Sequence, residues 1–314
     1  FTFLALTIMI LLSVIKTEFI VKFTLHFFII SFILLALVPI IGVEVKGAKR
    51  WLDFYFFRLQ PIEILKPLFI LAIAKILTSE KFKDTQIKYI LCFILLSSVL
   101  ILLIDQPDLG QSILLTGSWV ATVFISGISL TYIFIFFSLF LIFLSLILFF
   151  LPEKLGYVIN RLIVFFDPNQ GDKFQSSSAL EAIKQGGLTG QGMGEGILSE
   201  NVPEAHTDYV IAVISEEYGS IVSITILIIF LFISFRIIKN CINQEDKFLK
   251  ISLSGLATLL IFQTFIHGGV NTNLLPTTGM TLPFLSYGGS SLIGSAILAG
   301  LVLNYTKNKV YLYD

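Results

Sequence analysis

The densest group of ionisable residues lies at 202–219, in the sequence V-P-E-A-H-T-D-Y-V-I-A-V-I-S-E-E-Y-G. Its members are Glu204, His206, Asp208, Glu216 and Glu217. The almost purely apolar run Ser220–Phe235 follows directly. A charge at the centre of a membrane helix costs about 2.5–3.5 kcal/mol, and less towards the interface, so Asp208 must be solvated, paired or used in chemistry. The structural alternative is that Thr207 or Asp208 caps the helix, which contributes about 1 kcal/mol.

A cationic segment at 45–67 reads V-K-G-A-K-R-W-L-D-F-Y-F-F-R-L-Q-P-I-E-I-L-K-P. Arg50 and Arg58 suit an anionic head group such as a diphosphate, because the guanidinium fork binds phosphate oxygens in pairs. Such cations also extend to lipid head groups without any further role. Glu63 and Lys66 lie three residues apart and therefore on one helix face. A charged pair inside a membrane helix indicates a functional site, with a purely structural ion pair as the alternative.

The composition requires a membrane to hold these residues. Of 314 residues, 56% are hydrophobic and 13% are charged, and the mean hydropathy is +0.92. Soluble domains carry about 25% charged residues. A formal net charge of zero argues against nucleic-acid binding. The two cysteines are isolated and indicate neither a disulfide framework nor a metal site.

The apolar runs predict an all-α polytopic integral membrane protein with nine transmembrane helices, since one span needs about 20 residues. The spans are roughly 1–15, 23–43, 62–78, 87–104, 109–127, 130–151, 209–235, 249–268 and 281–305. Lys and Arg in the short loops near 81–88 and 236–250 place those loops in the cytoplasm. If each span reverses the side of the membrane, counting back from these loops places residue 1 on the outer side. A tenth helix is therefore expected upstream in the intact protein.

The outer side then holds 44–60, 105–108, 152–208 and 269–280. Four of its cations run against the usual charge bias and need an explanation. They are Lys46, Lys49, Arg50 and Arg58. Asp108 suits the N-terminus of the span that follows it, where the helix dipole favours a negative charge. Ser178–Gln185 is expected to form a short helix that stops at Gly186, and Gly288–Ser291 is interpreted as helix packing.

Six segments follow one another along the chain. They are K-G-A-K-R-W, Q-P-I-E-I-L-K, Q-P-D-L-G-Q-S, G-G-L-T-G-Q-G-M-G, P-E-A-H-T-D-Y and L-P-T-T-G-M-T-L-P-F-L-S-Y-G-G-S-S. Together they resemble the SEDS family (shape, elongation, division and sporulation proteins) over nearly the whole chain from about Val43. P-E-A-H-T-D and T-T-G-M-T-L-P-F resemble the FtsW division branch more than the RodA elongation branch.

This resemblance implies ten membrane helices in one domain, residues 1–314 here, with a large extracytoplasmic loop at 152–207. It implies a bacterial inner-membrane protein, at the division septum, that polymerises lipid II into glycan strands and releases undecaprenyl diphosphate. By the family pattern Asp208 is the catalytic candidate. The implied partners are lipid II, membrane lipids, a class B penicillin-binding transpeptidase and other division proteins.

Such chemistry needs a base, because the acceptor hydroxyl loses a proton as it attacks the donor's anomeric carbon. Asp208 is the predicted base, and the departing diphosphate needs a cation. The substrate-binding candidates are Arg50, Arg58, Glu63, Lys66, Glu204 and His206. No cofactor is predicted, and a divalent cation stays open. The alternatives are a lipid II transporter gated by Glu63 and Lys66, a RodA-type elongation enzyme, and a scaffold in which Asp208 is only a cap.

Overall fold

The computed structural model describes residues 1–45, 47–150, 156, 161, 163–166, 174–198 and 202–307. Helices dominate it. They are α1 Thr2–Val14, α2 Thr17–Ile41, α3 Pro61–Leu77, α4 Thr85–Asp105, α5 Leu109–Ile125, α6 Leu130–Phe150, α7 Phe174–Gly186, α8 Val210–Tyr218, α9 Ser220–Ile242, α10 Lys247–Asn271 and α11 Gly289–Thr306. Lys46 and much of the expected loop 152–207 lie outside the described residues.

The chain is a helical, multi-pass membrane protein, as the sequence predicts. Within the described residues, α2, α4, α9, α10 and α11 are long and apolar enough to cross a membrane. Shorter apolar helices are α1, α5 and the Leu130–Leu139 part of α6. The expected separation of 109–127 from 130–151 is confirmed, since Gly127 breaks the chain at a φ of +96°. The count of nine spans stays a prediction.

The centre of the molecule is formed by α3, α5 and α10, which pack against one another. Pro61 occupies the first turn of α3, where its missing N–H costs nothing. The Asp246 carboxylate caps α10 by accepting from the Phe248 and Leu249 amides. Gly255 permits the close approach, because a Cβ there would lie 2.5 Å from Ile70 and 2.6 Å from Thr122.

The expectation of one continuous span over 209–235 is wrong, because the chain breaks at Gly219 between α8 and α9. Gly219 has a φ of +88°, in the left-handed region that favours glycine. A Cβ at this position would also lie 2.1 Å from the Leu188 carbonyl oxygen. Asp208 is therefore followed by a short helix, α8, which ends at Tyr218 directly before the break.

The glycine-rich segment 186–192 packs against this break. A Cβ at Gly186 would lie 1.9 Å from the Ser215 carbonyl oxygen, and one at Gly190 would lie 2.3 Å from that of Glu217. The amides of Gln191 and Gly192 donate to the carbonyls of Glu216 and Glu217 at 2.9 and 3.0 Å. These glycines allow the main chain of 186–192 to contact the main chain of 215–219 directly. The expected short helix is also confirmed, as α7, which ends at Gly186.

Gly190 and Gly194 form a matched pair for testing this contact. Both have positive φ, +81° and +77°, but a Cβ at Gly194 meets nothing within 4 Å. Gly190→Ala is expected to destabilise the segment by about 2 kcal/mol more than Gly194→Ala, because only the former adds a backbone collision to the shared strain. Limited proteolysis within 186–198 measures the difference. Equal cleavage rates in the two variants would contradict the contact.

The all-α expectation misses a small antiparallel sheet in the segment 43–59. Its strands are β1 Val43–Val45, β2 Ala48–Asp53 and β3 Arg58–Leu59, in the order β1-β2-β3. The β1–β2 pairs are Val43 with Trp51, Glu44 with Lys49 and Val45 with Ala48, and the β2–β3 pairs are Leu52 with Leu59 and Asp53 with Arg58. Gly47, at a φ of +78°, turns the first hairpin. The sheet gives Arg50 a fixed position.

Candidate active site

Asp208 lies in a tight turn just before α8. Glu204 has a φ of +61°, and its carbonyl oxygen accepts from the Asp208 amide at 2.9 Å. The Glu204 carboxylate accepts from the Thr207 hydroxyl at 2.8 Å. The N-cap residue of α8 is Tyr209, and its side chain makes no capping bond. Neither Thr207 nor Asp208 is therefore the N-cap residue of this helix.

The carboxylate of Asp208 and the guanidinium of Arg50 both lie close to Gly279. A Cβ built at Gly279 would lie 3.5 Å from Asp208 Oδ2 and 3.8 Å from Arg50 Nη1. Gly279 has a φ of +68°, so glycine suits the turn as well as the space. Three segments far apart in sequence thus meet at one point, which is the rim of a partly exposed site.

Arg50 is anchored by the turn between α4 and α5. Its Nε donates to the Gln106 carbonyl at 3.0 Å and its Nη2 donates to the Pro107 carbonyl. The side chain is only 15% exposed. These bonds fix the guanidinium plane and direct Nη1 towards Gly279, so the cation is preorganised rather than mobile.

Arg58 and His206 lie in other surroundings. Arg58 is 58% exposed and pairs with Asp53, with Nε and Oδ2 3.3 Å apart. Arg58 thus pairs with an exposed carboxylate, whereas Arg50 bonds the turn between α4 and α5. His206 is exposed, and its carbonyl accepts from the Tyr287 amide at 2.8 Å. This bond ties the Asp208 turn to the chain that precedes α11.

The predicted pairing of Glu63 and Lys66 is confirmed. Lys66 Nζ lies 2.8 Å from Glu63 Oε2, and the two side chains are 3% and 4% exposed. Gln111 donates to the other carboxylate oxygen at 2.8 Å, and Lys66 reaches Gln263 Oε1 at 3.5 Å. A buried ion pair needs such additional bonds, because desolvation of two charges is expensive.

Asp108 connects this pair to Arg50. Its Oδ2 lies 3.9 Å from Arg50 Nε and accepts from Gln60 at 3.5 Å, while its Oδ1 accepts from the Gln111 amide at 3.4 Å. The expected cap of α5 is confirmed by that last bond. Burial raises the pKa of Asp108, and the Arg50 guanidinium opposes the rise. A polar chain thus runs from Arg50 through Asp108 and Gln111 to Glu63.

A cleft opens beside the ion pair, between α3, α10 and the start of α11. It encloses about 300 Å³ of empty space, counting its open mouth. Among its lining residues are Glu63, Lys66, Gln263, Pro283, Phe284 and Ser295. The arrangement offers a charged floor with apolar walls. Among the described residues, no group of three or more His, Cys, Asp or Glu side chains could hold a metal ion.

Comparison with known proteins identifies the family. The family model FTSW_RODA_SPOVE, described as a cell cycle protein, matches residues 1–311. The chain belongs to the FtsW/RodA/SpoVE family. A protein of Caulobacter vibrioides named "Probable peptidoglycan glycosyltransferase FtsW" is 36% identical, over 84% of this chain and 67% of its own length. One of the same name from Geobacter metallireducens is 37% identical, over 87% and 73%.

A solved structure has the same fold as this FtsW/RodA/SpoVE-family chain. It is described as "Structural coordination of polymerization and crosslinking by a peptidoglycan synthase complex". The TM-score is 0.77 at 28% identity, and the match covers 96% of this chain and 86% of the other.

The sequence did not predict that the segment 276–283 contributes main-chain hydrogen-bond acceptors near the site. Its main chain accepts hydrogen bonds at Thr277 from Arg161 (2.7 Å) and at Met280 from His267 (2.8 Å). The proline and glycine content predicts irregular backbone but not these partners.

Gly288–Ser291 does serve packing, as expected, since a Cβ at Gly289 would lie 2.7 Å from the Phe1 ring. Ser290 also accepts from the Gln60 amide at 2.9 Å. A signal was present in α10, whose polar residues at 263, 267 and 271 repeat every four positions.

Proposed function

We propose that this chain is a peptidoglycan glycosyltransferase that polymerises lipid II into glycan strands, with Asp208 as its general base. The observation that carries the proposal is that the Asp208 carboxylate and the anchored Arg50 guanidinium both lie close to Gly279. An acid–base group beside a fixed cation is what sugar transfer from a diphosphate requires. The curated relatives carry the name of this activity.

The reaction assigns one task to each group. The acceptor sugar hydroxyl attacks the anomeric carbon of the donor, and its proton passes to the Asp208 carboxylate. The bond from the anomeric carbon to the diphosphate breaks, and undecaprenyl diphosphate leaves with the electron pair. Arg50 stabilises the negative charge on the departing diphosphate. Lys66 lies 2.8 Å from the Glu63 carboxylate in a buried pair, whereas Arg50 is 3.9 Å from that of Asp108, so Arg50 suits this task better.

The pair Glu63–Lys66 is assigned to the floor of the substrate cleft. Its charges lie inside the membrane-spanning bundle, where an ion pair indicates function. Glu204 and His206 are assigned to holding the Asp208 turn, through their bonds to Thr207 and Tyr287. Arg58 is assigned to an outer position, where its exposure suits a second phosphate or a lipid head group.

A partner and a site of action complete the proposal. The similar solved structure is a synthase complex in which polymerization and crosslinking are coordinated, which supports a class B penicillin-binding transpeptidase as partner. The FtsW names of the relatives support the division septum as the site of action.

Purified protein with its partner is expected to convert lipid II into polymer that muramidase digests, and absence of polymer contradicts the proposal. Adding a chelator to the same assay tests for a divalent cation.

Arg50→Lys tests the anchored cation. Lysine keeps the charge but has one nitrogen, so it cannot bond the Gln106 and Pro107 carbonyls while also facing Gly279. The initial rate of lipid II polymerisation is expected to fall about 100-fold, because displacement by 1 Å can cost that much. Lys49→Ala is the control, since Lys49 is exposed on the same strand. If Arg50→Lys polymerises lipid II at the wild-type rate, the guanidinium has no role in the mechanism.

A further inference from the structure

One face of α10 carries a row of buried polar side chains. Gln263, His267 and Asn271 follow one another at intervals of four residues and therefore lie one above the other. Their exposures are 4%, 1% and 0%. Buried polar groups are costly unless they are bonded, so their partners show what the row does.

Asn271 holds the main chain at Asp208. Its Nδ2 donates to the Asp208 carbonyl at 3.0 Å and to the His267 carbonyl at 2.8 Å. Its Oδ1 accepts from the Ala212 amide at 3.1 Å, in the first turn of α8. This side chain thus supplies, from another helix, a bond to the first turn of α8, where the N-cap residue Tyr209 makes no side-chain capping bond. It also fixes Asp208 relative to α10.

His267 and Gln263 hold the other side of the site. His267 Nδ1 lies 2.8 Å from the Met280 carbonyl, and a carbonyl can only accept, so Nδ1 must carry the proton. Gln263 Nε2 donates to the Thr281 carbonyl at 2.9 Å. These two bonds fix the residues that directly follow Gly279, the point where Asp208 meets Arg50.

We propose that Gln263, His267 and Asn271 are positioning residues for the glycosyltransferase reaction. From one helix they set the distance between the Asp208 turn and the Gly279 turn, and so the approach of the carboxylate to Arg50. Gln263 also reaches Lys66 at 3.5 Å, so the row links the base to the cleft. The inference rests on the proposed function, because the row acts through Asp208.

His267→Asn and His267→Leu separate positioning from simple burial. Asparagine places an N–H donor at about the distance of the imidazole Nδ1, whereas leucine fills the space without a donor. His267→Leu is expected to lower kcat for lipid II about tenfold or more with KM nearly unchanged, since small misplacements act on the chemical step. His267→Asn is expected to restore most of that loss.

Ser254→Ala is the control on the same helix, because Ser254 is buried and its hydroxyl donates to the Ile251 carbonyl in its own turn. It is expected to keep the wild-type kcat. Equal kcat values in His267→Leu and His267→Asn, whether both low or both normal, would overturn the proposal. If Asp208→Asn abolishes polymer while the His267 variants behave alike, the row is not positioning and the proposed function stands.

A measurement on the wild-type protein remains decisive if His267→Leu does not fold. The chain has three histidines, so ¹⁵N-histidine spectra are simple, and the signal of residue 267 is assigned by its loss in His267→Asn. A neutral ring with the proton on Nδ1 is expected. A bare Nδ1 would overturn the proposal, because the bond to Met280 could not exist.

Discussion

Asp208→Asn is expected to reduce lipid II polymerisation by about 100-fold or more, because a positioned general base contributes on the order of 10²–10⁴-fold. Asparagine has the shape of aspartate but cannot take up the proton of the attacking hydroxyl. Asp208→Ala is expected to lose as much. The initial rate of polymer formation, with partner present, is the measurement.

The thermal unfolding of these variants shows whether the loss is chemical. The N-cap residue of α8 is Tyr209 rather than Asp208, and Asn271 bonds the first turn of this helix. Asp208→Asn should therefore unfold close to the wild-type temperature. Loss of activity only in proportion to loss of folded protein would mean that Asp208 is structural. A fully active Asp208→Asn would redirect the search for a base to Glu63 and Glu204.

Glu63→Gln and Lys66→Met are each expected to destabilise the protein by about 3–5 kcal/mol, because each leaves the partner's charge buried and unpaired. The pair lies 2.8 Å apart at the centre of the bundle. The double variant is expected to recover most of that stability, since no lone charge remains. Thermal unfolding of the three variants gives the coupling between the two residues.

Activity in the same variants distinguishes a structural pair from a functional one. If the charges form part of the substrate cleft, the double variant stays well below the wild-type rate although its stability returns. A double variant with normal stability and normal polymerisation would show that the pair serves folding alone. Asp53→Asn provides the contrast, because its exposed bridge to Arg58 contributes at most about 1 kcal/mol.

Local spacing predicted what lies within one helix. Glu63 and Lys66 are three apart, and helical geometry alone brings them together. Asp108 directly precedes a span, and it caps that helix as expected. The break at Gly219 was missed because apolar residues at 210–214 and 220–235 flank the short polar stretch that holds it, and hydropathy does not register a change in backbone direction.

Contacts between distant segments were beyond sequence pattern. Asp208, Arg50 and Gly279 meet because a small sheet, a turn between helices and an irregular segment converge. No periodicity relates these three positions. The same reasoning grouped Arg58 with Arg50 by charge, whereas the hairpin places them differently. The capping of α8 by Asn271 likewise depends on the packing of α10, which a single chain segment does not encode.

The most direct test of the central claim measures lipid II polymerisation and lipid II transport across a bilayer in the same experiment. Wild-type protein and Asp208→Asn, each with the partner, are placed in vesicles with fluorescent lipid II. The account predicts muramidase-sensitive polymer from wild type and about 100-fold less from Asp208→Asn, in keeping with loss of a general base. Lipid II that crosses the bilayer without any polymer from wild type would contradict the account and identify a transporter.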